Sequence, residues 1–147
     1  DLVVAALRFN PDIIAIGEMR NIECYSAVEA SLTGHTVIST VHAGSGTAHS
    51  RIALLCQKRF PIDFNISLVQ AAQAFPLVIH THQLENKVRK IMDISECEIL
   101  PDGKQVYRSL YRYCITENTN KNGKTHIVGY FDKPGTMSEG LKQRLVQ

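Results

Sequence analysis

Residues 11–20 read Pro-Asp-Ile-Ile-Ala-Ile-Gly-Glu-Met-Arg. The apolar run at 13–16 stops abruptly at Gly17 and Glu18. A short continuous apolar run predicts a parallel strand buried on both faces. A carboxylate just past the carboxyl end of such a strand stands on the rim where open α/β sheets bind ligands. An ATPase needs a charge there to orient the attacking water or hold magnesium. A buried strand followed by a merely solvated glutamate fits these ten residues as well.

The following residues bear on that choice. At 22–33, Ile22, Tyr25, Val28 and Leu32 recur at helical spacing, and Glu23 in the first turn suits the helix dipole. Gly34 follows as a stop. Residues 36–41, Thr-Val-Ile-Ser-Thr-Val, are rich in β-branched side chains and predict a second strand. Strand, helix and strand form a βαβ unit, which is right-handed with parallel strands. The carboxyl ends of both strands then share one edge, and Glu18 and His42 each lie just beyond it. His35 precedes the second strand. Its seven-residue separation from His42 spans about 23 Å along a straight strand. The two histidines therefore cannot reach one phosphate within one subunit; His35 is expected to cap structure or to face a neighbouring subunit.

These residues resemble a known family. Ala6-Leu7-Arg8, Pro11-Asp12 and Gly17-Glu18-Met19-Arg20 are similar to the degenerate Walker B region of the ATPases that drive type II and type IV secretion and pilus assembly. Thr33-Gly34-His35 and Ser39-Thr40-Val41-His42-Ala43 resemble their histidine box, and Arg51-Ile52 matches the pair on the following helix. Leu110-Tyr111-Arg112-Tyr113, Asn122-Gly123-Lys124 and the 140–145 stretch resemble the tail of the CpaF/TadA subfamily, which powers Flp (tight-adherence) pili.

The resemblance implies roles. Glu18 is the glutamate that polarises the attacking water, and Gly17 stands where other Walker B strands carry Asp. His42, with His35, senses the γ-phosphate or the subunit interface; Thr40 belongs to the same nucleotide or interface group. Arg20 and Arg51 stabilise phosphate charge, a task that suits arginine's planar fork. An ordinary surface ion pair is the alternative for each arginine. The family also implies ATP and Mg2+, a hexameric ring of identical chains, inner-membrane platform proteins as partners, and a cytoplasmic location at the inner face of the cell membrane.

One motif is missing. The only Gly-Lys-Thr is Gly123-Lys124-Thr125, and position 118 is Asn where a P-loop needs Gly. Asn122-Gly123 signals a hairpin instead. The chain opens on Asp1 without Met, so it is expected to be the carboxyl-terminal part of a longer ATPase whose nucleotide cradle lies upstream and to be inactive alone.

Composition fits one globular core: 147 residues, 44% apolar, net charge +2. So small a charge implies no broad nucleic-acid surface. Cys24, Cys56, Cys97 and Cys114 show no C-x-x-C spacing and are expected as buried thiols in a reducing compartment. No apolar run reaches the roughly 18 residues of a membrane span.

Residues 48–58 and 66–74 predict two helices, the first with Ile52, Leu55 and Cys56 on one stripe. Residues 77–79 predict a short strand in the first sheet, with His80 and His82 on its extension, a pair too sparse for a metal site. From Val88 the pattern becomes an antiparallel meander of about three strands, 88–100, 105–115 and 127–131, turning at Pro101-Asp102-Gly103 and Asn122-Gly123. Lys87, Arg89, Lys90, Arg108 and Arg112 form either a basic strip or a solvated face. Residues 137–147 predict a closing helix packed through Leu141, Leu145 and Val146. The fold class expected is α/β: the back half of a RecA-like P-loop ATPase domain over 1–83, then a β-rich appendage with a terminal helix over 84–147. A nucleic-acid motor of the same fold and a non-catalytic oligomerisation or docking module are the alternatives.

Overall fold

A computed structural model describes residues 2–44 and 46–146. The chain is mixed α/β, with a two-stranded parallel sheet and a four-stranded antiparallel sheet. It divides into two compact units: one runs up to Pro76 and includes residues 99–105, and the other holds 77–98 and 106 onward.

In the first unit, α1 (Leu2–Leu7) leads to β1 (Ile13–Ile16), α2 (Glu23–Leu32) and β2 (Thr36–Ser39). β1 and β2 pair in parallel, with Ile14 opposite Val37 and Ile16 opposite Ser39. The predicted βαβ unit is present, although β2 ends two residues early. One correction concerns burial. Ile14 is buried, but Ile13 and Ile38 are more than half exposed. Only one sheet face is covered, because Val3, Leu7 and Ala30 pack against Ile14, Ile16 and Val37 from one side.

The α2 stripe differs from the expected one. Ile22 and Leu32 are exposed, while Cys24, Ala27, Val28 and Ser31 are buried. Small side chains let α3 (Ala48–Cys56) and α4 (Phe64–Ala74) approach closely, so the narrow face of α2 turns inward. The core combines Met19, Cys24, Ala27 and Val28 with Ile52, Leu55, Cys56, Ala71 and Ala74. The α3 stripe is buried as predicted.

Helix ends follow local chemistry. Gly34, at φ +104°, closes α2 in a Schellman turn: the His35 amide bonds Ala30 O at 3.1 Å and the Gly34 amide bonds Ser31 O at 3.2 Å. Gly34→Ala forces an L side chain into this left-handed conformation and is expected to cost about 1–2 kcal/mol. Urea unfolding would read the loss as a lower midpoint; an unchanged midpoint would contradict it. α4 starts two residues earlier than predicted because the Asp63 carboxylate accepts the Asn65 and Ile66 amides at 2.8 and 3.3 Å. Its far end is capped from other helices: Ser31 Oγ donates to Ala74 O and His49 Nε2 to Phe75 O, each at 2.7 Å.

The second unit is a meander, β3 (Leu77–Gln83), β4 (Arg89–Ile99), β5 (Gln105–Lys121) and β6 (Lys124–Asp132), then α5 (Glu139–Val146). The strand expected in the first sheet at 77–79 instead opens this one, pairing antiparallel with β4 from Leu77 opposite Glu96 to Gln83 opposite Arg89. The turn at 84–88, where the Lys87 amide bonds Leu84 O, makes β3 and β4 sequential neighbours, and hairpin pairing wins over a longer connection. Asn122 and Gly123 both have positive φ, as a type I′ hairpin turn requires, and join β5 to β6. Gly123-Lys124-Thr125 is therefore hairpin, and no helix follows it as a P-loop demands. The basic side chains are largely engaged: Arg108 pairs with Glu98 at 2.7 Å, Arg112 with Asp93 at 3.5 Å, and Lys90 sits over the Tyr113 ring.

Helix α5 also departs from expectation. The buried Glu96 carboxylate accepts the Ser138 amide at 2.8 Å and its hydroxyl, while Ser138 Oγ accepts the Leu141 amide at 3.1 Å. Leu141 is buried, but Leu145 and Val146 are exposed. The first turn of the helix is held through Ser138 and Leu141. Gln147, part of the expected helix, lies outside them.

Candidate functional site

The site grows from the register of β1 and β2. With Ile16 level with Ser39, the segments beyond both strands run side by side. The pairing continues through the turn: the Met19 amide donates to Thr40 O at 2.8 Å, and Thr40 Oγ1 donates to Gly17 O at 2.6 Å. Residues 17–19 are thereby tied to the start of the loop that carries His42.

Glu18 sits at the centre. Its Oε2 meets Arg20 Nη2 at 2.5 Å, and its Oε1 lies 3.1 Å from His42 Nε2. The glutamate side chain is 22% exposed, whereas the Arg20 and His42 side chains are 71% and 88% exposed. A partly sheltered carboxylate thus faces solvent through two cationic or cation-capable groups. The Arg20 guanidinium, chiefly through its hydrogen bond, holds the Glu18 carboxyl below the usual carboxylate range; burial opposes this, and the charges of Arg20 and His42 add to it. Glu18 is an anion at neutral pH and a weak base, suited to orienting a water through a charge-assisted hydrogen bond.

The structure brings together Gly17, Glu18, Arg20, Thr40 and His42. It leaves out two residues. His35 stands at the opposite end of β2, where its backbone amide closes α2 and its Nδ1 is buried without a hydrogen-bond partner. Arg51 is exposed on α3, and the Glu18 cluster is closed by Arg20 and His42 instead.

Three contributors escaped the sequence patterns. Met19 is 3% exposed and plugs the core beneath the turn, with Cys24 Sγ 3.6 Å from its sulfur. Glu23 Oε1 accepts the Arg20 and Asn21 amides at 2.7 and 2.8 Å. His49 is fully buried, and burial pushes its pKa down, so it remains neutral and donates to Phe75 O. An apolar residue between two charged ones in the turn was the available signal for Met19. Glu23 was legible only as an acidic residue in the first turn of α2, not as the acceptor of these two amides.

The donor set does not by itself make a cation site. Glu18 Oε2 is taken by Arg20, its buried Oε1 has no hydrogen-bond partner among the described residues although His42 Nε2 lies 3.1 Å away, and no group of three His, Cys, Asp or Glu converges among the described residues. No helix among the described residues is long and apolar enough to cross a membrane.

Parts of the chain are similar to known proteins. An uncharacterised protein of Methanocaldococcus jannaschii is 32% identical over 98 residues, covering 67% of this chain and 17% of that protein. Competence protein ComGA of Halalkalibacterium halodurans is 48% identical over 54 residues, 36% of this chain and 15% of the relative. The type II secretion system ATPase E of Vibrio cholerae is 50% identical over 42 residues, 28% of this chain and 8% of the relative. The chain thus spans less than a fifth of the length of each of these relatives. The family described as type II/IV secretion system protein matches residues 1–129, both strand ends and the Glu18 turn included, and the chain belongs to that family.

Proposed function

We propose that this chain is the water-orienting part of an ATP-hydrolysing motor for pilus assembly or type II/IV secretion, built on a RecA-like core. The observation that carries it is the Glu18 carboxylate, held at the shared carboxyl edge of two parallel strands between Arg20 and His42. Open α/β sheets bind ligands on that edge. Glu18 accepts a hydrogen bond from water and aligns it with the γ-phosphorus. Water attacks, the bond to the β-phosphate oxygen breaks, and Arg20 and His42 offset charge on the phosphoryl oxygens. Magnesium accompanying the nucleotide would find at this edge the Glu18 carboxylate, already paired with Arg20, and would need its other ligands from elsewhere. The tail motifs at 110–113, 122–124 and 140–145 favour the Flp-pilus type, acting as a hexameric ring on inner-membrane platform proteins at the cytoplasmic face.

The test is ATP hydrolysis by the whole protein, with and without DNA, beside the 147-residue chain. Turnover by the whole protein alone, indifferent to DNA, supports the motor. DNA-stimulated turnover would move the assignment to a nucleic-acid motor, and no turnover would favour an oligomerisation module. That last alternative draws on the half-exposed Ile13 and Ile38 of the open sheet face. Within the motor, His42→Ala is expected to slow turnover at least about tenfold, and more than His35→Ala does, because only His42 reaches Glu18. The reverse order would remove His42 from the mechanism.

A further inference from the structure

We propose that Glu23 is a positioning residue for hydrolysis: its carboxylate clamps the backbone of the 18–21 turn and so aims the Arg20–Glu18 pair. The proposal rests on the hydrolytic function assigned to Glu18.

The contacts are specific. A single oxygen, Glu23 Oε1, accepts both the Arg20 amide at 2.7 Å and the Asn21 amide at 2.8 Å. Arg20 is the residue whose guanidinium meets Glu18 at 2.5 Å. Glu23 therefore holds by its backbone the residue that holds Glu18 by its side chain. Glu23 is the first residue of α2, and its carboxylate reaches back to two amides that precede the helix, one of them that of Arg20, the cation that pairs with Glu18.

The turn is otherwise anchored on one side. The Met19 amide and Gly17 carbonyl are tied to Thr40, and the Met19 side chain is sunk in the core. Beyond Met19, the chain must leave the sheet edge and enter α2. In that span, Arg20 and Asn21 present amides outside the helix's own bonding, and Glu23 takes both. Burial pushes the Glu23 carboxyl up, but the amides of Arg20, Asn21 and Glu23 itself, with the charge of Lys58, outweigh it and leave the group ionised. An anion accepting two amides is stronger than a neutral acceptor.

Without this clamp, Arg20 swings and its contact with Glu18 loosens. Misplacement by about 1 Å in a catalytic group can cost on the order of 100-fold in rate. A role confined to helix capping predicts lower stability with parental kinetics. Positioning predicts a loss in kcat and a change in the titration of Glu18, which the charged groups of Arg20 and His42 face.

The experiment uses the whole protein and steady-state ATP hydrolysis across pH. Glu23→Ala is expected to lower kcat at least about tenfold at little-changed KM, and to move the acid limb upward as Glu18 loses its hold on Arg20. Glu23→Gln keeps an acceptor oxygen and is expected to stay within about threefold of the parent. Glu23→Asp keeps charge but is one methylene short, and is expected to resemble Glu23→Ala; it serves if the alanine variant does not fold. Parental kcat and pH profile in Glu23→Ala, or Glu23→Gln as slow as Glu23→Ala, would overturn the proposal. Glu18→Gln is run alongside. Parental turnover there would overturn the role of Glu18 itself, which separates that failure from a failure of Glu23.

Discussion

Glu18→Gln in the whole protein is expected to retain ATP binding and to lose turnover by on the order of 100- to 1000-fold, the range seen when one group that stabilises a transition state is removed. The substitution keeps size and shape but removes the charge that Arg20 and His42 face. Because Arg20 depresses the Glu18 carboxyl, the group is already ionised well into the acid range. The parent's activity should therefore persist to lower pH than an ordinary glutamate would permit, with the acid limb falling only as Glu18 protonates. Single-turnover hydrolysis and nucleotide titration measure the two effects separately. Turnover near the parent value would make Glu18 a structural residue and leave the strand edge without its water-orienting group.

The largest stability effect is expected at Leu55. Its side chain is fully buried, and it stands in the cluster formed by α2, α3, α4 and Met19. Leu55→Ala removes three heavy atoms and leaves a cavity, at a cost of about 2–5 kcal/mol. The surrounding Ala27, Ala71 and Ala74 are too small to fill it. Native-state hydrogen exchange in the whole protein would read the loss as faster exchange at α2 and α3 amides. Unchanged protection would mean that these helices do not form one cooperative unit. The effect should extend to function, since Met19 belongs to the same cluster and to the turn between Glu18 and Arg20.

Much of the site was legible before any coordinates. Strand period, the Gly34 stop and a right-handed crossover place Glu18 and His42 on one edge, and their 3.1 Å approach follows from that placement. His35 was separable from His42 by chain length alone. The Arg20–Glu18 pairing was one of two options for that arginine. Its choice depends on a turn conformation set by Thr40 and Glu23, neither of which advertises that task in the sequence.

The sequence by itself determined the local features. Ile13–Ile16 is a strand, Glu23–Leu32 a helix ended by a glycine, and Asn122-Gly123 a hairpin turn. Each rests on interactions among residues a few positions apart, where periodicity and backbone preference suffice. Tertiary structure alone decided which faces are covered and which strands are partners. Ile13 and Ile38 stayed open, α2 buried its small residues instead of Ile22 and Leu32, β3 joined the antiparallel sheet, and Leu145 and Val146 were left exposed. Those outcomes depend on what chain-distant elements supply as packing partners. An apolar side chain carries a preference for burial but no address for its neighbour.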